Sequence, residues 1–126
     1  RQENGQTLMP EADPRFSQGM ALFNAAEWYE AHDVFEDLWH ETADPERRTL
    51  QGIIQVAVAQ LHLQRGNTRG ATILFGEALG RLLRPGTPDL GIDLDDLCRC
   101  VRQRLETLQQ DGDPECITVP SLRPKS

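Results

Sequence analysis

The sequence predicts an all-α protein, a compact bundle of about five helices. Apolar side chains recur every three or four residues through most of the chain, which is the spacing of one helix face. Residues that favour helix caps precede these runs, and Gly or Pro follows several of them. With 126 residues, 38% of them hydrophobic and 26% charged, the chain has the composition of one globular domain. We expect a flexible N-terminal lead at 1–13, a single helical domain at 14–111 and an extended C-terminal tail at 112–126.

The first two predicted helices are separated by a tight turn near Ala26 and Glu27. Asp13 can cap the first helix, with Pro14 in its first turn. The apolar residues of this helix recur up to about residue 26: Phe16, Met20, Leu22 and Phe23. The second helix covers 28–41, and its apolar stripe consists of Trp28, Ala31, Phe35, Leu38 and Trp39.

The third predicted helix is the most hydrophobic segment of the chain. Asp44 is its expected cap, Pro45 its first residue, and Gly66 ends it after about residue 65. Its apolar residues point in nearly every direction around the helix: Leu50, Ile53, Ile54, Val56, Ala57, Val58, Leu61 and Leu63. We therefore expect this helix at the centre of the domain.

Two more helices follow. Asn67 can cap the fourth, which runs from Thr68 to about Leu83, and Asp93 can cap the fifth, which ends near Gln110. The inward residues of the fifth helix are Leu94, Leu97, Val101, Leu105 and Leu108.

An internal similarity relates the first and second halves of the domain. Ala31 and Phe35 correspond to Ala71 and Phe75 at an offset of 40 residues, and each pair follows a turn. The small-residue-then-Phe spacing is similar to that of a tetratricopeptide hairpin, although a solenoid needs about three copies. The sequence thus predicts two tetratricopeptide-like helical hairpins that close into a bundle.

Charge and hydropathy narrow the class of partner. The formal net charge is −7, which repels nucleic acid and anionic lipid, so we expect no nucleic-acid and no membrane partner. No apolar run approaches the roughly 20 residues that span a bilayer, and residues 1–10 lack the apolar stretch of a signal peptide. These features predict a cytoplasmic protein. The three cysteines imply no disulfide framework.

The second helix carries polar residues among aromatic ones. His32 and Glu36 lie one helical turn apart on the same face, with Trp28 and Trp39 on one side of them and Tyr29 on the other. The other polar residues of this helix fall on an opposite, solvated face, although two acidic residues of that face flank the histidine. These two are Glu30 and Asp33.

The third helix carries a polar line within its apolar surface. Gln51, Gln55 and His62 are separated by four and seven residues, so they lie along one side of the helix. A buried polar group without a partner costs about 1–3 kcal/mol, so such a line needs polar partners, water or a ligand. The predicted ligand pocket brings together residues of both helices: Tyr29, His32, Glu36, Trp39, Gln51, Gln55 and His62.

Three functions are compatible with this cluster. His32, Glu36 and His62 form the donor set of a two-histidine-one-carboxylate site for Zn²⁺, Mn²⁺ or Fe²⁺. A metal-dependent hydrolase would then use Glu36, Asp33 or Glu30 as the catalytic base. The second function is a non-catalytic module that binds a small molecule or a peptide. The third is a purely structural hydrogen-bond network.

The motifs at about residues 16–84 resemble one family in order and spacing. They are Leu22-Phe23-Asn24, the segment from Glu30 to Trp39, Gln51-Gly52 through His62, and Gly66-Asn67 with Gly70-Ala71. This pattern is similar to that of the domain of unknown function 309 family, whose usual E-A-H-E reads E-A-H-D here because Asp33 replaces the second Glu. The resemblance implies a compact helical bundle, for which metal-dependent hydrolase has been the working label.

Overall fold

The computed structural model describes residues 9–125 and confirms the predicted all-α fold. Its helices are α1 (Pro14–Asn24), α2 (Trp28–His40), α3 (Glu46–Gln64), α4 (Thr68–Leu82) and α5 (Leu94–Gln109). Short 3₁₀ turns at Pro10–Ala12 and Pro114–Cys116 flank this bundle. Within 9–125 the chain forms no strand, and an isolated bridge joins Ile92 to Pro124. Most of the predicted N-terminal lead, 1–8, lies outside the described residues.

Each helix packs against the next one along the chain, so α3 has α2 on one side and α4 on the other. The pairs α1–α2 and α3–α4 correspond to the two predicted hairpins. Their tetratricopeptide-like geometry stays a prediction. A polar side chain on the buried sides of α3 can therefore contact either of two neighbouring helices.

Side-chain caps begin three of the helices. Asp13, Asn67 and Asp93 cap α1, α4 and α5, and each accepts a hydrogen bond from a backbone N–H two or three residues later. The start of α3 differs from the prediction. The Asp44–Pro45 peptide is cis, and Pro45 is the N-cap without a side-chain hydrogen bond. Asp44 is therefore not the cap, because it precedes the position whose side chain reaches the first turn.

Helix α3 is buried along most of its length, as its apolar residues predicted. Gly52 permits its close approach to α4, because a Cβ there would lie only 2.7 Å from Cγ of Leu82. Neither α3 nor any other helix within 9–125 is both long and apolar enough to cross a membrane. The fully buried residues of α3 are Thr49, Leu50, Ile53, Val56, Ala57 and Ala59.

The two tryptophans differ in their burial. Trp28 is 3% exposed and packs edge-on against Phe23, with ring centroids 5.0 Å apart and an interplanar angle of 90°. Trp39 is only partly buried, and the guanidinium carbon of Arg47 lies 3.8 Å from its ring centroid. Trp28 is therefore a core residue, whereas Trp39 lies at the edge of the core beneath a cation.

The C-terminal segment, residues 117–125, is extended and packs against the bundle. Leu122 is 1% exposed, and the Asn24 side chain both donates to its carbonyl oxygen at 3.0 Å and accepts from its N–H at 2.7 Å. Backbone N–H groups of Asp93 and Lys125 complete the attachment by donating to the carbonyls of Arg123 and Gly91. The segment thus forms part of the packed domain and closes the surface beside α5.

We predict that Phe35→Ala lowers the free energy of unfolding by about 3–5 kcal/mol, because Phe35 is 0% exposed and its removal leaves a cavity between α1 and α2. Urea denaturation followed by circular dichroism measures this change. The control is Ile73→Ala on α4, where the side chain is 52% exposed and the expected change is within about 0.5 kcal/mol. Equal midpoints for the two variants would contradict the assignment of Phe35 to the core.

Candidate functional site

The predicted residues of α2 form a partly exposed cluster on their own helix. Nε2 of His32 lies 3.5 Å from Glu36 Oε2, and Nδ1 lies 3.3 Å from Asp33 Oδ1. The His32 side chain is 23% exposed, and those of Asp33 and Glu36 are 55% and 47% exposed. Tyr29 is also exposed, with its ring 6.2 Å from that of His32, and Glu30 is exposed nearby. This cluster faces solvent, because the side of α2 that enters the core carries Ala31, Phe35 and Leu38.

The polar line of α3 faces α4. Gln55 is 9% exposed, and its side-chain amide donates to Glu77 Oε1 at 2.9 Å. Its carbonyl oxygen accepts from Nη1 of Arg81 at 3.3 Å. Gln51, one turn earlier, lines the same opening as Glu77 and Arg81. The spacing on α3 predicted a polar partner on another helix. We expected His32 and Glu36 of α2, but the partners of Gln55 are Glu77 and Arg81 of α4.

His62 belongs to the same side of α3 but lies at its last turn, where the helix is no longer covered. Its Nδ1 lies 3.2 Å from Nδ2 of Asn67, in an exposed contact next to the turn that leads to α4. Asn67 in turn caps α4 through Gly70. The imidazole therefore helps to close the α3–α4 turn and is not buried with Gln55.

The predicted metal triad of His32, Glu36 and His62 is not assembled. Among residues 9–125, no group of three or more His, Cys, Asp or Glu side chains is arranged to hold a metal ion. The two histidines have different neighbours: His32 lies beside Glu36 and Asp33 of its own helix, whereas His62 contacts Asn67 at the turn that leads to α4. The expected Zn²⁺, Mn²⁺ or Fe²⁺ site thus has no support in the arrangement of these residues.

The two cysteines of α5 have thiols with raised pKa values. Burial raises the pKa of the Cys98 thiol to about 11, so that it stays protonated and poorly nucleophilic at neutral pH. Burial also raises the pKa of Cys100, whose thiol donates to the Thr118 carbonyl at 3.2 Å. Both thiols have a packing role on α5.

A polar opening lies between α3 and α4, and the predicted residue Gln51 lines it. This α3–α4 groove has a volume of ≈ 530 Å³, and its lining residues are Asp44, Arg48, Gln51, Glu77, Gly80, Arg81 and Arg84, with Gln55 beneath them. The lining side chains include three arginines and two carboxylates, which gives one net positive charge in a chain of net charge −7.

Two of the three arginines of the groove are held by hydrogen bonds to their side chains, Arg48 by the loop after α4 and Arg81 by α3. Nε of Arg48 donates to the Thr87 hydroxyl oxygen at 2.9 Å, and that hydroxyl lies 2.7 Å from the Arg84 carbonyl oxygen. Arg81 is positioned by Gln55. The contribution of α4 was not predicted, since Glu77 and Arg81 at a spacing of four have the pattern of an ordinary solvated helix face.

We expect Gln55→Ala to lower the free energy of unfolding by about 1–3 kcal/mol, because it removes a buried amide that holds both Glu77 and Arg81. His62→Gln should change it by less than about 1 kcal/mol, because the contact of His62 with Asn67 is exposed. Thermal or urea unfolding of both variants measures the difference. A loss in His62→Gln as large as that in Gln55→Ala would show that the imidazole has a buried partner after all.

Comparison with known proteins agrees with the sequence motifs. The uncharacterized protein YpuF of Bacillus subtilis (strain 168) is 35% identical over 89 residues, which cover 65% of this chain and 51% of that protein. The chain therefore spans about half the length of this curated relative. Residues 16–74, from α1 into α4, match the model of the family described as Domain of unknown function (DUF309). Over these residues the chain is similar to the DUF309 family, as its motifs predicted.

Proposed function

We propose that this chain is a non-catalytic binding module that holds a small oxyanion, a carboxylate or a phosphate, in the α3–α4 groove. The observation that carries this proposal is the presence of Arg48, Arg81 and Arg84 around Gln51 in one opening of ≈ 530 Å³. A volume of this size is within the range of about 300–1,000 Å³ typical of small-molecule sites.

The side chains of the groove offer hydrogen-bond donors of suitable chemistry. A guanidinium group presents planar pairs of N–H donors that match the oxygens of a carboxylate or phosphate. Gln51 is partly exposed, and its amide makes no hydrogen bond to another described residue, so it remains available to a ligand. Gln55 and Thr87 hold Arg81 and Arg48 in place before a ligand arrives, which reduces the entropy lost on binding.

Two carboxylates moderate the affinity of this site. Glu77 and Asp44 line the groove, and Glu77 already accepts a hydrogen bond from Gln55. The three arginines attract a small anion, whereas these carboxylates and the net charge of the chain repel it. We therefore expect a modest affinity that falls as the salt concentration increases.

The other two hypotheses have less support from the contacts. A metal-dependent hydrolase built on the predicted triad has only His32 with Glu36 and Asp33 close together on α2. A purely structural network is compatible with the bonds from Gln55 to Glu77 and Arg81, but it does not account for Gln51 or Arg84 at the opening.

We expect inorganic phosphate or citrate to bind the full chain saturably in isothermal titration calorimetry at low salt. Citrate alone would indicate a carboxylate ligand, and phosphate alone a phosphorylated one. Arg81→Gln should weaken binding about tenfold, because it removes a guanidinium fixed within the groove. The matched control, Arg102→Gln on the exposed side of α5, should leave binding unchanged.

Two results would contradict the proposed function. One is the lack of saturable binding of either anion at low salt. The other is equal affinity of the parent, Arg81→Gln and Arg102→Gln. Loss of stability in Arg81→Gln without loss of binding would instead favour the structural network.

A further inference from the structure

A second opening lies at the end of the bundle, where α2 begins and α3 and α5 end. We call it the Arg104 cavity; it has a volume of ≈ 550 Å³ and is separate from the α3–α4 groove. Gln60 of α3 and Arg104 of α5 line it together with an apolar wall. The apolar wall consists of Trp28, Leu63, Leu108 and Val119.

Two buried polar atoms of this cavity have no hydrogen-bond partner within the part of the chain that the structure describes. Gln60 and Arg104 are only 6% and 4% exposed, yet Gln60 Oε1 and Arg104 Nε are both unpaired. Buried donors and acceptors in folded proteins are nearly always paired, because an unpaired one loses its bonds to water without replacement. The unpaired acceptor and the unpaired donor lie beside the same opening, where water or a polar ligand can supply the missing groups.

The position of Arg104 on α5 is fixed by the C-terminal segment. Its Nη1 donates to the carbonyl oxygens of Thr118 at 2.9 Å and Ile117 at 3.4 Å. The charge of the guanidinium is only partly balanced: the Glu115 carboxylate interacts with it electrostatically, but among the described residues no carboxylate forms an ion pair with it. A carboxylate on a ligand would supply both the missing acceptor and the opposite charge.

The other charged residues of the cavity have the opposite sign. Asp111, Asp113 and Glu115 line it and are exposed, so the opening is acidic while its buried interior is basic. A ligand that presents only an anion is repelled at this opening, and one that presents only a cation is repelled by Arg104. These charges favour a molecule that carries both an anionic and a cationic group.

We propose that the Arg104 cavity binds a small zwitterion with an apolar body, of the class of dipeptides. The carboxylate of the ligand pairs with Arg104, and its N–H groups donate to Gln60 Oε1. The ammonium group faces the acidic residues of the opening, and the apolar side chains pack on Trp28 and Leu63.

The test uses the full chain with Trp39→Phe, so that Trp28 in the cavity wall is the remaining one of the two tryptophans. We expect L-leucyl-L-leucine to change the Trp28 fluorescence saturably, with a dissociation constant of about 1 mM or lower. The N-acetyl form lacks the ammonium group and the C-terminal amide lacks the carboxylate, so each should bind at least about tenfold more weakly.

Two variants of the cavity should weaken binding of the dipeptide at least about tenfold. Gln60→Leu removes the unpaired acceptor and keeps the helix, so it tests binding without loss of the fold. Arg104→Lys keeps the charge but loses the planar pair of donors. The controls Gln109→Leu and Arg102→Lys change exposed residues of the same helix α5 and should leave affinity unchanged.

The proposal is overturned if Trp28 shows no saturable response up to about 10 mM L-leucyl-L-leucine. Equal binding of either blocked form would overturn the zwitterion assignment. Binding that both cavity variants leave unchanged would place the ligand elsewhere. Phosphate or citrate binding at the α3–α4 groove involves none of these residues, so the two proposals fail independently.

Discussion

The burial of α3 between α2 and α4 is the constraint on which the arrangement of this domain depends. Nearly every side of α3 carries apolar residues, so α2 and α4 must cover it from both directions. The polar side chains of α3 therefore lie either in an interface with a neighbouring helix or near an end of α3. Gln55 is in the interface with α4, His62 is at the last turn, and Gln60 is buried beside the Arg104 cavity.

Much of the fold is predictable from the sequence because each helix has a clear period and clear ends. The apolar stripe of α2 and the Asn67 cap of α4 are examples that the structure confirms. The partner of the Gln51–Gln55 line was not predictable. The period of one helix shows which residues share a side, but a helix buried on both sides gives no sign of which neighbour that side meets. The histidine of α2 favoured that helix as the partner. The actual partners are charged residues of α4, whose spacing is that of a solvated helix face.

Arg104 is a charged residue at a position of α5 that the helical period assigns to the core. It lies three residues after Val101 and four before Leu108, both buried, so a charged residue occupies the inward stripe of α5. Burying a cation in such a position costs free energy unless hydrogen bonds or an opposite charge compensate. Here Arg104 donates to the Thr118 carbonyl of the C-terminal segment and lines a cavity. Positions where a local rule is broken are therefore better indicators of a site than clusters on an exposed face.

A pair of double-mutant cycles tests most directly whether Gln51 and Gln55 of α3 face α4 and not α2. The first cycle combines Gln55→Ala with Glu77→Ala, whose side chains are 2.9 Å apart, and should give a coupling energy of about 0.5 kcal/mol or more. The second combines Gln55→Ala with Glu36→Ala and should be additive within about 0.5 kcal/mol. Strong coupling in the second cycle and additivity in the first would contradict this account of the structure.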